Sequence, residues 1–215
     1  MKFCALAVAA FLAASDCRDA ACWKALGAAQ AARQQFALAA VSFEKACALD
    51  AKLEDACYYL GRAEYVANRY EASLEALEKA LPVEKRPWRV YTAMGEAFEA
   101  LGRAPEAERS FKKALDNCRG SNERPGLAYG VFLFRQGRTE DALRQFQDVL
   151  ARFPDSPAAN FEAGRALWQL NRVAGAIPLL EKAVKLDPAS APARLLLDKA
   201  YTRAARAPQG SRTVR

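Results

Sequence analysis

The sequence predicts an all-α protein built as an array of stacked helical hairpins, and three observations predict it. Alanine is abundant while Val, Ile and Thr are sparse, which favours helix over strand. Five glycines, Gly27, Gly61, Gly95, Gly130 and Gly164, recur at a near-constant spacing of about 34 residues, with a single extra residue between Gly95 and Gly130. Twelve residues after each comes a small residue (Ala39, Ser73, Ala107, Ala142, Ala176), four further on Phe43, Leu77, Phe111, Phe146 or Leu180, and three further on Ala46, Ala80, Ala114, Val149 or Ala183. Four positions recurring in register mark a repeat array.

Two antiparallel helices in each unit account for the pattern. Where helices cross closely, a side chain on one pushes the axes apart, so a small residue is required. Gly27 in the first helix and Ala39 in the second supply that contact, Phe43 fills the space beside it, and Ala46 lets the next unit sit close. No unit buries its apolar faces alone, so stacking is compulsory. The units read as residues 20–53, 54–87, 88–121, 123–156 and 157–190, with a one-residue insertion in "DNCRGSNERPG" (116–126), the expected soft point. Pro82 and Pro87 bracket the link between the second and third units. Pro105 falls in a first helical turn, where a missing N–H costs little. Pro178 sits deeper, which predicts local distortion or a helix start near Ala174. Residues 191–206 keep the apolar spacing Leu197–Tyr201 but carry Asp198 where the glycine stood, as suits a capping helix. Residues 207–215 are polar and basic and are expected to form a disordered tail.

With Trp23, Leu26, Gly27, Ala39, Phe43 and Ala46 in the first unit, and Pro154 and Pro188 ending the last two, residues 20–190 resemble the tetratricopeptide repeat (TPR) family. The resemblance implies a right-handed α-solenoid of about five TPR repeats plus a C-terminal capping helix. Gln30 in place of an aromatic, and Ser73 and Val149 in place of alanine, are expected to weaken individual packing contacts. In this family the first helices of successive repeats line a concave groove that binds a peptide or helix of a protein partner. The resemblance places Lys24 there, with Tyr58, Arg62 and Tyr65 from the second repeat and Arg89, Glu96 and Glu99 from the third. Leu127, Val131, Phe134 and Arg135 come from the fourth, Phe161, Arg165 and Trp168 from the fifth, and Lys199 and Arg203 from the cap. Aromatics interleaved with arginines suit an extended peptide with acidic and apolar side chains. The cap-side half, with Phe134, Phe161, Arg165 and Trp168, is the most adhesive, and the alanine-rich first repeat the least. Packing between units is the competing role for these aromatics. The subclass that clamps the C-terminal carboxylate of chaperone peptides needs paired Lys and Asn residues. Lys24 occupies one such place, but Ala28 and Tyr59 stand where Asn is needed and Ala93 where Arg is needed, so a partner of that type is not expected.

Residues 1–15 hold one lysine and an uncharged apolar run from Phe3 to Ala14, the layout of a secretory signal peptide cleaved after Ala14 or Ser15. The run is too short to span a bilayer comfortably. Asp16 argues against lipidation of Cys17. An uncleaved helix packed on the next element is the alternative. Cys17, Cys22, Cys47, Cys57 and Cys118 agree with export to a periplasm or cell envelope, since no CxxC pair offers a metal site. Cys47, near the end of the second helix of repeat one, and Cys57, in the first turns of repeat two, are candidate disulfide partners. Such a staple is similar to that of the bacterial Sel1-like repeat proteins and contributes about 2–3 kcal/mol. Pairing Cys17 with Cys22 would leave Cys118 free, and burial of all five as small hydrophobes is the alternative.

The absence of histidine removes His-dependent triads, His metal sites and His acid–base chemistry. The net charge of +7 is not gathered into one basic block, which favours a solvated surface over nucleic-acid binding. No Gly-rich phosphate loop, nucleophile elbow or metal cluster is visible, and no cofactor is expected. Glu44, Glu75, Glu78 and Glu181 stand beside Lys45, Lys79 and Lys182 and read as helix salt bridges. The sequence therefore predicts an exported, bacterial-type, non-enzymatic scaffold for a protein or peptide partner. A self-associating structural protein of an envelope assembly and a cytosolic adaptor are the alternatives.

Overall fold

The computed structural model describes residues 17–53 and 55–206. The expected signal peptide with its cleavage site, and the expected tail 207–215, lie outside the described residues. Within them the regular structure is eleven α-helices: α1 (Ala20–Ala32), α2 (Phe36–Leu49), α3 (Ala56–Val66), α4 (Tyr70–Ala80), α5 (Pro87–Ala100), α6 (Ala104–Cys118), α7 (Arg124–Arg135), α8 (Thr139–Arg152), α9 (Pro157–Gln169), α10 (Val173–Leu186) and α11 (Ala191–Arg206). They form two compact units divided between Cys118 and Arg119, inside the stretch that carries the insertion. The first unit stacks the hairpins α1–α2, α3–α4 and α5–α6. The second stacks α7–α8 and α9–α10 and ends on α11. Pro105 stands in the first turn of α6, and α10 begins at Val173, beside the expected Ala174.

The periodic glycines make room for a side chain rather than only for a backbone. A Cβ on Gly27 would lie 2.8 Å from the Phe43 ring, on Gly95 2.7 Å from Phe111 and on Gly130 2.4 Å from Phe146. On Gly61 and Gly164 it would meet Leu77 at 2.6 Å and Leu180 at 2.8 Å. These rings and leucines are almost wholly buried and are among the largest pieces of the core. Two departures from the family pattern prove to be compensated. Ser73, fully buried, donates to the Gly61 carbonyl at 2.7 Å, so the added hydroxyl ties the hairpin together. Buried Gln30 accepts from the Ser42 hydroxyl at 2.7 Å.

The turn inside each hairpin follows the same period. Gln34, Asn68, Gly102, Gly137 and Asn171 all have φ between 59° and 75°, the left-handed conformation that ends a helix. The next residue donates its N–H back across the turn: Gln35 to Gln30, Arg69 to Glu64, Arg103 to Phe98, Arg138 to Leu133 and Arg172 to Leu167, at 2.8–3.0 Å. Helix start signals are present where side-chain caps exist, as at Asp19, which accepts from the Cys22 N–H at 2.8 Å, and Ser156, which accepts from Ala159 at 3.0 Å.

The exposed charges do not all follow the expected neighbour pairing. Lys182 bonds Asp155 at 3.1 Å, and Glu181 accepts from the Tyr201 hydroxyl. The helix pairs that form instead include Arg103–Glu106, Lys112–Glu108 and Arg138–Asp141.

Substituting Gly130→Ala forces a methyl against the Phe146 ring, which is fully buried. The expected cost is about 2 kcal/mol, read as a lower urea midpoint. An unchanged midpoint would show that the ring does not need the glycine.

Candidate functional site

The first helices α3 and α5 touch in the first unit, as do α7 and α9, and α9 and α11, in the second, and these helices carry all the side chains that the sequence assigned to a groove except Lys24 of α1. All of them are at least partly exposed. In the first unit the face is formed by α3 and α5. Arg62 pairs with Glu96 of the next repeat. Arg89 bonds Asp55 of the preceding repeat at 2.7 Å, lies 3.6 Å from Glu84 and stacks its guanidinium 4.0 Å over the Tyr58 ring. Arg62 also lies 5.4 Å from the centre of the Tyr65 ring. Burial, then the charge of Glu96, pushes the Tyr65 hydroxyl above its ordinary pKa. Both arginines of this face are therefore engaged with carboxylates of the neighbouring repeat. They fasten repeats together and leave little charge for a ligand.

Beside this face, the alanines of the first repeat leave a hollow of about 420 Å³ between α1, α2 and α3, with Ala28 and Ala31 on one side and Phe43, Tyr59 and Val66 on the others. The alanine-rich repeat is thus not featureless. No motif announces the hollow, because a void is defined by what three helices leave unfilled.

The second unit is arranged differently. Its face is formed by α7, α9 and α11, joined by aromatic–arginine contacts. The Arg165 guanidinium lies 4.4 Å over Phe134 of α7 and 5.9 Å from Phe161 of its own helix. Arg203 of α11 lies 5.0 Å over Trp168 of α9. Leu127, Val131, Phe134, Phe161 and Trp168 are half-buried, while Arg135, Lys199 and Arg203 are exposed. A cavity of about 420 Å³ opens against Trp168, lined by Asp198, Lys199, Thr202, Arg203 and Arg206. The carboxylate paired with Arg165 is that of Glu162, one turn earlier on the same helix, with Oε2 2.6 Å from Nη2. The contact is misaligned: Glu162 Oε2 and Arg165 Nε are both buried without a hydrogen-bond partner. Burial raises the Glu162 carboxyl above its ordinary pKa, against the opposing pull of Arg165 and Arg135.

Charge is divided between the units as sharply as the faces are. Residues 1–118 hold sixteen basic and sixteen acidic residues, and residues 119–215 hold sixteen basic and nine acidic. The whole net charge belongs to the second unit and its tail.

The cysteines meet in two pairs. Cys47 of α2 and Cys57 of α3 have Cα atoms 4.9 Å apart, and those of Cys17 and Cys22 are 5.3 Å apart. Cys118 is buried. Among the described residues no helix is long and apolar enough to cross a membrane.

These repeats define the class. The family model described as Tetratricopeptide repeat matches residues 56–122 and 133–191, more than half of the chain, and the chain belongs to that family. TPR arrays are generally non-enzymatic scaffolds that bind other proteins, and that is the fold seen here. Among curated proteins, the chain is 29% identical to the BBSome complex member BBS4 of Bos taurus over 94 residues, 43% of this chain and 18% of that protein. It is 27% identical to Hsp70-Hsp90 organizing protein 2 of Arabidopsis thaliana over 134 residues, 60% of this chain and 21% of that protein. The chain thus spans about a fifth of the length of these relatives. Among solved structures, Pseudomonas aeruginosa pilF superposes with a TM-score of 0.68 at 18% identity, covering 89% of this chain and 93% of that one. YrrB, described as a TPR protein with an unusual peptide-binding site, superposes with a TM-score of 0.58 at 21% identity, covering 82% and 91%. At these identities the likeness is one of fold.

The ion pairs of the first unit differ in burial, and so in consequence. Glu84 is 1% exposed and Arg89 10% exposed. Arg89→Ala removes the hydrogen bond to Asp55 and the guanidinium beside buried Glu84, which keeps the Arg86 N–H at 2.9 Å, and is expected to cost about 2 kcal/mol, whereas Arg62→Ala, in a half-exposed pair, costs under about 1 kcal/mol. Urea unfolding of the two variants checks this, and equal losses would contradict the fastening role assigned to Arg89.

Proposed function

We propose that the chain is an exported, non-catalytic scaffold that seats a peptide or helix of a protein partner on the α7–α9–α11 face of its second unit. The observation that carries the reading is the contrast between the faces. Arg62 and Arg89 are taken up by carboxylates one repeat away, while Arg165, Lys199 and Arg203 stand among half-buried rings with no such carboxylate in register. Desolvated aromatic and arginine side chains are the ones that concentrate binding energy at protein interfaces. A chaperone-tail clamp is disfavoured by Ala28 and Tyr59, and by Ala93, which is buried and so presents no side chain to a ligand.

Export is supported by the apolar run that precedes Asp16 and by the cysteine geometry. Both Cα separations fall within the range a disulfide spans. A Cys47–Cys57 bond would tie the end of α2 to the start of α3, stapling the first repeat to the second. Peptide mapping of secreted protein without reduction is expected to recover Cys47 linked to Cys57 and Cys17 linked to Cys22. Free thiols at these positions would contradict an oxidising compartment.

The binding face is tested by crosslinking capture from native cells with wild type and an Arg165→Glu, Trp168→Ala double variant. The double variant is expected to keep its helical circular dichroism and to lose the captured partner by at least tenfold. Full retention of the partner would place binding elsewhere.

A further inference from the structure

The geometry points to an acidic partner segment whose carboxylate takes the place now held by Glu162, which serves as an internal stand-in for the ligand on Arg165. This inference rests on the proposed use of the α7–α9–α11 face and adds the chemistry of what binds there and the residue that competes with it.

Equivalent positions of the repeats differ in what they offer an arginine. Arg62 and Arg165 occupy the same place in their respective repeats, each the ninth residue of its unit. For Arg62 the equivalent residue of the following repeat is Glu96, and the two pair. For Arg165 the equivalent residues are Val131 in the preceding repeat and Lys199 in the capping helix. The carboxylate that the array itself provides in the first unit is therefore replaced by an aliphatic side chain and a second cation. Arg165 is left with a carboxylate from its own helix that reaches it badly. Its Nε–H remains a buried donor without an acceptor, although a guanidinium offers two parallel donors to a well-placed carboxylate. The Glu162 carboxylate is in turn only 16% exposed, and burial raises its pKa despite the opposing pull of Arg165 and Arg135. Both partners of this contact gain when a carboxylate from outside binds Arg165 squarely and Glu162 turns to solvent.

The surroundings extend the reading from one group to a segment. Phe134 and Phe161 flank the Arg165 guanidinium and cover part of it, leaving it one-third exposed and so within reach of an anion from outside. Lys199, Arg203 and Arg206 line the cavity beside Trp168 and, with Asp198 as the one carboxylate among them, present a second place of net positive charge. First helices of neighbouring repeats lie about 10 Å apart, and an extended chain advances about 3.3 Å per residue. The favoured segment therefore carries two carboxylates about three residues apart, with apolar side chains between them for Phe161 and Trp168. The excess of seven positive charges on this half of the chain attracts such a segment from a distance.

The test is fluorescence anisotropy with the full chain and three labelled twelve-residue probes. One carries glutamates three residues apart with leucines between, one has lysines in place of the glutamates, and one has glutamines. The acidic probe is expected to bind at least tenfold more tightly than the other two, and to weaken as salt is raised. Glu162→Gln is expected to tighten it about fivefold, and Arg165→Gln to weaken it at least tenfold. Glu162→Ala is expected to tighten it as well, which separates loss of a competing charge from any packing effect of the glutamine. Equal binding of the three probes, or unchanged or weaker binding by both Glu162 variants, would overturn the inference. The scaffold reading fails separately: it falls if the native partner crosslinks outside α7, α9 and α11, and it survives if the partner crosslinks there while the acidic probe shows no preference.

Discussion

Every helical hairpin in this chain depends on one steric constraint, the absence of a side chain on the first helix where a ring or leucine of the second must lie. Gly130 against Phe146 is its tightest instance. A glycine costs helix propensity of about 1 kcal/mol, and the array accepts that cost five times because the buried side chain opposite contributes more. The left-handed residue that closes each hairpin is the second half of the same device. It reverses the chain within a few residues, so that the second helix returns with its aromatic or leucine aimed at the glycine. Packing between repeats follows from the small residues that come three positions after it, and these too are buried throughout.

Once the backbone repeats, side chains at equivalent positions come to lie beside each other, and the sequence decides what each pair does. In the first unit the equivalent positions hold opposite charges, Asp55 with Arg89 and Arg62 with Glu96, and they bind one repeat to the next. In the second unit the corresponding positions hold Val131, Arg165 and Lys199 with aromatics around them, and they leave cationic side chains on an apolar ground. The fold is the same in both units. What separates the two faces is the sign of one side chain: Glu96 opposite Arg62 in the first unit, Val131 and Lys199 opposite Arg165 in the second.

The architecture was legible because it rests on periodicity. The spacing of Gly27, Gly61, Gly95, Gly130 and Gly164, with its small and aromatic partners, identifies the hairpins and their order. The turns carry an equally regular signal in Asn68, Gly102, Gly137 and Asn171, but Gln34 at the first of these places obscures it, since glutamine is not a residue that favours a left-handed conformation. The consequences of Ser73 and Gln30 were not legible. Each reads as a defect in the pattern, and only the fold brings the Gly61 carbonyl or the Ser42 hydroxyl within hydrogen-bond reach. The use made of Arg62 and Arg89 was also missed. Their carboxylate partners stand one repeat away, so the same period that revealed the helices held the answer, yet position on a groove says nothing about whether a charge is already engaged. Glu84, in the connection between Pro82 and Pro87, repeats the acidic position of Asp50 and Asp187, and like them it accepts the backbone N–H two residues on. Its burial, which those two exposed aspartates do not share, follows only from three-dimensional packing.

The central claim is that the two units divide the work, with α3 and α5 holding repeats together and α7, α9 and α11 meeting the partner. Hydrogen exchange on the full chain, free and bound to its crosslink-identified partner, tests that claim most directly. Binding is expected to slow exchange in α9 and α11 and to leave α3 and α5 unchanged. Protection centred on α3 and α5, or on the hollow beside Ala28 and Tyr59, with α9 and α11 unaffected, would contradict it.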